Sequence, residues 1–199
     1  MTTPLFLLRL TSSIYRGLPL LAILLLAGCA GDTRHRIIIS TTDQSMVLLE
    51  DNKVLAKYPI STSKFGLGDA PNSYATPVGK LKIKKKIGDG HPAGAVFKSR
   101  RPTGEVLVID APGRDPIVTR ILWLEGLEAH NRNTYGRYIY IHGTPEERNI
   151  GQAVSFGCIR MRSRDVIELY DIVGPGARVL ITSQPFPTPK PGPKPTEIP

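Results

Sequence analysis

The chain has 199 residues, the length of one domain with room for a sizeable core. Apolar residues make up 41% of it and charged residues 22%, the balance of a soluble globular protein. Lys and Arg outnumber Asp and Glu by 26 to 17, a formal +9 that favours nucleic acid, anionic lipid or an acidic polymer as partner, with the compartment left to decide.

Residues 1–28 speak to the compartment. Arg9 and Arg16 are their only charges, and "GLPLLAILLLAG" is as long as a signal-peptide apolar core and too short to span a bilayer. Leu26-Ala27-Gly28-Cys29 follows in register and resembles the lipobox of bacterial lipoproteins. That resemblance implies a lipidated Cys29 as first residue of the mature chain. Removing the leader's two positive charges from +9 leaves +7. An exported chain excludes nucleic acid as the partner. It is expected to be a monomer held to a membrane by its lipid, on the periplasmic face of the outer membrane if the source has one.

"AGDTRH" then reads as a polar tether, so that residues 29–35 form a lipidated link. "RIIIS" (36–40) is a buried-type strand. "MVLLE" and "KVLAKY" flank Asp51-Asn52, a two-residue hairpin turn. Residues 63–79, rich in Gly, Pro, Ser and Asn, form a loop. In "KLKIKKKI", Lys80, Lys82, Lys84 and Lys86 alternate with Leu81, Ile83 and Ile87, a half-buried strand with a charged outer face. Those lysines read as a solvated face that blocks edge pairing, with a binding patch as the alternative.

"EVLVID" (105–110), "VTRILWLE" (118–125) and "RYIYIH" (137–142) are further strands. One helix follows, with Ser163 as N-cap and Asp165 in its first turn. Val166, Leu169, Tyr170 and Val173 line its apolar face, and Gly174-Pro175-Gly176 stops it. "ARVLIT" is the last strand. From Gln184 alternating prolines leave a disordered or extended tail to residue 199.

If Cys29 carries lipid, Cys158 has no disulfide partner in an oxidising compartment. It is either a small buried apolar residue or a reactive thiol. A reactive thiol needs a base and donors for the oxyanion it creates. Of the four histidines, His35, His91 and His130 lie in the tether or in loops and read as surface residues. His142 ends a strand. Period 2 puts Tyr138, Tyr140 and His142 on one face, at the mouth of the sheet, with Ile139 and Ile141 on the other. Metal binding by Cys158 and His142 falls short of the usual four ligands.

"IHGT" and "SFGCIRM", with His142 and Cys158 sixteen positions apart, together resemble the signature of the YkuD-type L,D-transpeptidases. "TPVG" (76–79), "RILWLEG" (120–126) and "GRYIYIHGT" (136–144) resemble further family segments. The resemblance implies a mainly β catalytic domain over residues 36–183. Its body is a sandwich or barrel-like wrap of strands, with the one main helix after the catalytic Cys. It implies Cys158 as nucleophile, His142 as base and the carbonyl of Gly143 as the group that orients the imidazole. Backbone N–H groups of Gly157 and Cys158 form the implied oxyanion hole.

The implied substrate is the peptidoglycan stem peptide. Cys158 attacks the bond after its third residue, releases D-Ala and passes the acyl group to an amine. The amine belongs to a neighbouring stem, a lipoprotein Lys or a free D-amino acid; water instead makes a carboxypeptidase, and the same chemistry could process the lipoprotein linkage. No cofactor or metal is implied. A catalytically silent, lipid-anchored peptidoglycan-binding protein is the rival from another class.

The chain departs from the family at Phe156, where many members carry His. Arg160 reads equally as a substrate-carboxylate partner or as half of a structural ion pair. Tyr140 and Ser155 join it as candidate substrate contacts, Ser155 more as a brace for the loop. Trp123 is a core residue or a wall of the acyl pocket.

Overall fold

A computed structural model of the chain describes residues 31–187. The leader, Cys29 and the tail beyond residue 187 lie outside the described residues.

The strands are β1 (His35–Ser40), β2 (Ser45–Glu50), β3 (Lys53–Pro59), β4 (Gly79–Ile87), β5 (Ala95–Lys98), β6 (Arg101–Val106), β7 (Ile117–Gly126), β8 (Tyr140–Gly143), β9 (Ile159–Met161) and β10 (Arg178–Thr182). Among the described residues a single α-helix, α1 (Ser163–Ile172), stands between β9 and β10, as expected. The strands form one mixed sheet in the order β3-β2-β1-β10-β4-β7-β5-β6, and β8 branches from β7 to pair with β9. β1/β10 and β8/β9 are parallel; the other ladders are antiparallel.

Ser61, just past β3, exchanges backbone hydrogen bonds with Arg160 of β9 at 3.0 and 2.9 Å. That bridge ties one end of the path β3-β2-β1-β10-β4-β7-β8-β9 to the other, so the sheet wraps in the barrel-like way expected. Inside it, Ile37, Leu48, Leu81, Leu122, Ile141, Ile159 and Val179 pack with Val166 and Leu169 of α1 and with Val173 at its C-cap. The opposite face of β7 and β8 carries a second, smaller cluster of Ala95, Phe97, Ile121, Trp123 and Tyr140, with Cys158 against it. β7 is therefore buried on both faces along most of its length, its polar Thr119 and Arg120 included.

The Asp51-Asn52 turn is as expected, with φ of 47° and 67°, the left-handed pair that a tight hairpin requires. Other boundaries moved. Asp32, in the segment read as a tether, accepts hydrogen bonds from Gly174 N–H (2.7 Å) and His35 Nδ1 (2.8 Å). The end of the tether is thus fastened to the turn after α1, and His35 is mostly buried rather than a surface residue. His91, also read as surface, packs edge-on against Phe97 at 5.5 Å.

β4 is not an edge, since it pairs with both β10 and β7. Lys82 and Lys84 share Glu125 at 2.9 and 3.1 Å. A bulge after Ile83 then breaks the alternation, and Lys86 turns inward to donate to the Tyr170 carbonyl at 2.6 Å. The strand expected at 105–110 runs instead over Arg101–Val106, where Pro102 and Gly104 masked it in the sequence. β6 pairs only with β5, and an edge strand tolerates Pro and Gly. Arg137–Ile139, read as strand, belong to a turn whose Tyr138 has φ 59°.

The N-cap of α1 is Arg162, not Ser163. Ser163 N–H is satisfied by Glu147 Oε1 at 2.7 Å, and its hydroxyl meets Thr119 Oγ1 at 2.8 Å, so a carboxylate from a neighbouring 3₁₀ turn does the capping. In the stretch read as a disordered tail, Phe186 N–H donates to Asp43 Oδ2 at 2.6 Å.

Candidate active site

β8 and the loop before β9 bring the two expected catalytic side chains to the same face of the sheet. In the parallel ladder His142 is in register with Arg160, two residues past Cys158. His142 is buried rather than open at a mouth, and its Nδ1 lies 2.8 Å from the Gly143 carbonyl oxygen. That contact fixes the tautomer with hydrogen on Nδ1 and leaves Nε2 as the free lone pair, the form a base needs. Gly143 admits no larger residue: a Cβ there would stand 2.8 Å from the Val118 carbonyl oxygen.

Cys158 is half-buried. Its sulfur accepts from Tyr140 N–H at 3.4 Å and donates to the Tyr138 carbonyl at 3.5 Å. The thiol proton thus rests on a backbone oxygen rather than on His142. Burial pushes the thiol pKa up to about 11, against the Tyr140 amide and the Arg160 and Arg137 charges, which pull it down. Burial pushes His142 down to about 4, opposed by its bond to Gly143 and assisted by Arg160. At neutral pH the pair is therefore a thiol and a neutral imidazole, not an ion pair.

The loop carrying Cys158 is held from within. Ser155 Oγ donates to the Cys158 carbonyl at 2.6 Å and accepts Gly157 N–H at 3.2 Å. Ser155 is fully buried, so it braces the loop and does not face a substrate. The same bond occupies Gly157 N–H, which therefore does not stand ready as the expected oxyanion donor. Gly157 has φ 114°, and a Cβ there would lie 3.2 Å from the Ala75 carbonyl oxygen, which accounts for glycine.

Arg160 is an ion-pair residue: its Nη1 is 2.6 Å from Asp115 Oδ2, with both side chains mostly buried. Tyr140 is buried too; it turns its backbone to the sulfur and its hydroxyl toward Arg100 Nη1 at 3.4 Å. Trp123 is a core residue, the reading favoured from the sequence. It stacks on Tyr135 at 4.1 Å in the cluster against which Cys158 packs. Phe156 is 54% exposed and packs with Phe65 and Tyr74 at 5.4 and 6.0 Å, under Lys64.

Four residues with a part here escaped the sequence reading. Asp115 pairs with Arg160, and Arg100 overlies the aromatic cluster. Asp69 and Arg137 form a buried ion pair at 2.9 Å that ties the 63–79 loop to the turn carrying Tyr138. "GRYIYIHGT" contained Arg137, but a strand reading only puts it on the face of Ile139 and Ile141 and says nothing of a carboxylate partner. Among the described residues, no group of three or more His, Cys, Asp or Glu is placed to hold a metal ion.

The family described as the L,D-transpeptidase catalytic domain, YkuD, matches residues 34–181. The putative L,D-transpeptidase YkuD of Bacillus subtilis is 31% identical over 162 residues, covering 76% of this chain and 94% of that protein. The putative L,D-transpeptidase YqjB of the same organism is 30% identical over 147 residues, covering 73% of this chain and 70% of that one. Among solved structures, the Ldtfm–avibactam carbamoyl enzyme shares the fold at a TM-score of 0.50 and 18% identity, covering 77% of this chain and 51% of that one. The chain spans about three fifths of the first solved L,D-transpeptidase chains it matches. With the family's span covering the whole wrapped sheet and the His142–Cys158 face inside it, the chain belongs to the YkuD family of L,D-transpeptidase catalytic domains.

Proposed function

We propose that the protein is a peptidoglycan L,D-transpeptidase anchored by lipid at Cys29. The observation that carries the reaction is the His142 Nδ1 contact with the Gly143 carbonyl at 2.8 Å, on the face that holds the half-buried Cys158. An imidazole held in that tautomer is of use as a base, and a surface or structural histidine has no need of it.

The thiol leaves the Tyr138 carbonyl and gives its proton to His142 Nε2. The sulfur attacks the carbonyl carbon between the third stem residue and D-Ala. Tyr140 N–H, 3.4 Å from the sulfur, steadies the developing thiolate. Cys158 N–H, joined by Gly157 N–H once it leaves Ser155 Oγ, receives the oxyanion. His142 returns the proton to the departing amine, D-Ala leaves, and a thioester remains. An acceptor amine then attacks, losing its proton through His142, and the thiol is restored. The mature chain's excess of basic residues suits a carboxylate-rich polymer.

Intact-mass spectrometry with disaccharide tetrapeptide tests this. The wild-type protein should gain the acyl mass with loss of D-Ala, and Cys158→Ala should gain nothing. An adduct on the Ala variant, or none on the wild type, rejects the assignment. Membrane fractionation of native protein and Cys29→Ala tests the anchor: equal partition of the two would reject it.

A further inference from the structure

We propose that Arg100 is the carboxylate receptor of this site, binding the terminal α-carboxylate of the peptide that Cys158 attacks. The ligand named here rests on the stem-peptide reading above; the receptor's own geometry does not.

Arg100 occupies the two-residue turn between β5 and β6. Ser99 and Arg100 have φ of 50° and 65°. Such turns favour Asn and Gly, and an Arg in the left-handed region persists only where its surroundings hold it there. What holds it is the aromatic cluster. Its guanidinium carbon lies 5.0 Å from the Trp123 ring centre and 4.7 Å from that of Tyr138, and Nη1 reaches Tyr140 Oη at 3.4 Å. Tyr138 and Tyr140 are also the residues whose backbones grip the sulfur, at 3.5 and 3.4 Å. The cation and the nucleophile are therefore mounted on the same short segment, one at the side-chain ends and one at the main chain.

The charges around the thiol divide sharply. Arg160 is committed to Asp115 at 2.6 Å, and Arg137 to Asp69 at 2.9 Å. No ion pair forms to Arg100 among the described residues, and the groups that act on its charge are Tyr140, Tyr138 and Tyr135. Only one of its five N–H donors is engaged by a side chain. A guanidinium laid on aromatic faces is oriented in advance and can bind a carboxylate with two parallel hydrogen bonds. Because Tyr140 Oη accepts from Arg100, its own O–H remains to donate to the same ligand.

The ligand should be the carboxylate one residue beyond the attacked carbonyl. Recognising it there restricts cleavage to a chain's last residue. A carboxylate on the third residue's side chain has the same chemistry, so the test separates the two.

Trp123 is the chain's single tryptophan and lies under Arg100, so its emission reports the site directly. Cys158→Ala protein is titrated with stem tetrapeptide, its C-terminal carboxamide, and the tetrapeptide amidated only on the third residue's side-chain carboxylate. The free acid should bind best. The C-terminal carboxamide and the Arg100→Met change should each weaken binding about tenfold to a hundredfold, with little further loss when combined. Arg100→Lys, which keeps charge but not the fork, should recover part, at an unchanged melting temperature. Equal affinity of the Arg100→Met protein for acid and carboxamide, matched by equal affinity of the parent for both, overturns the proposal. Arg100-dependent loss only with the side-chain amide overturns the terminal assignment. Acylation is read separately on wild-type protein. A missing thioester with Arg100-dependent binding intact would sink the transpeptidase reading and leave the receptor standing.

Discussion

Arg160 and Asp115 form an ion pair at 2.6 Å, and Asp115 also accepts the Thr144 hydroxyl at 2.5 Å, one residue after Gly143. One carboxylate therefore braces both β8 and β9 beside His142 and Cys158. Asp115→Ala leaves a mostly buried guanidinium without its counter-charge, which should cost about 3 kcal/mol of stability. Urea unfolding checks this. Arg160→Met together with Asp115→Ala should recover part of the loss, because no uncompensated charge remains. Additive losses in the double variant would mean that the two side chains act separately.

The protonation states predict the pH dependence of acylation. His142 ionises near pH 4 and Cys158 near pH 11, so the productive thiol–imidazole form spans the range between. The kcat/KM for acylation should be nearly flat through neutral pH and fall on an acid limb near pH 4. Alkylation of Cys158 by iodoacetamide should be slow at pH 7 and should rise about tenfold per pH unit toward pH 10, following the thiolate fraction. An acid limb between pH 6 and pH 7 would mean that His142 carries the proton of a preformed ion pair.

Burial of neutral His142 also links folding to pH. Its folded pKa, about 4, lies below its ordinary 6.5, so the unfolded chain binds the proton first as pH falls. The contribution is full above pH 6.5 and is lost progressively down to pH 4, about 3 kcal/mol in all. Denaturation of wild type and His142→Gln at pH 7.5 and pH 4.5 measures it. The wild type should lose more stability on acidification than the variant by about 2 kcal/mol. Equal losses would place the acid sensitivity elsewhere.

Gly157→Ala combines a left-handed φ of 114° with a close approach to the Ala75 carbonyl and the Ile139 side chain, both at 3.2 Å. It should destabilise the protein by about 1–3 kcal/mol. The loop's shift should also slow acylation more than it raises the apparent KM, since it moves the proposed nucleophile rather than a binding wall. Thermal unfolding with single-turnover kinetics separates the two effects. A variant with wild-type stability and rate would mean that the loop relaxes freely.

Much of this was readable in the residues. The apolar runs "RIIIS", "MVLLE" and "ARVLIT" mark the strands whose Ile37, Leu48 and Val179 enter the core, and the i, i+3, i+4 spacing of Val166, Leu169 and Tyr170 gives the helix its buried face. Those patterns are local consequences of strand and helix geometry. That Cys158 and His142 are candidates for one site was legible because one short strand and one loop carry the two motifs, with Phe156 the departure.

What escaped was non-local or broke the local rule. Pro102 and Gly104 hide an edge strand because only the sheet order reveals that β6 has one neighbour. The bulge after Ile83 turns Lys86 inward, and a period-2 reading cannot anticipate an extra residue. The side of the sheet for His142 and the candidate nucleophile Cys158 were fixed by sequence pattern and motif. Their protonation was not, because it depends on how much water the fold removes. Arg160 could have served a substrate or an ion pair, and Asp115, forty-five positions earlier in the chain, decided for the pair. An arginine's role depends on which carboxylate the chain brings to it, and only tertiary folding brings Asp115 to Arg160 while giving Arg100 three aromatic rings in place of an acid.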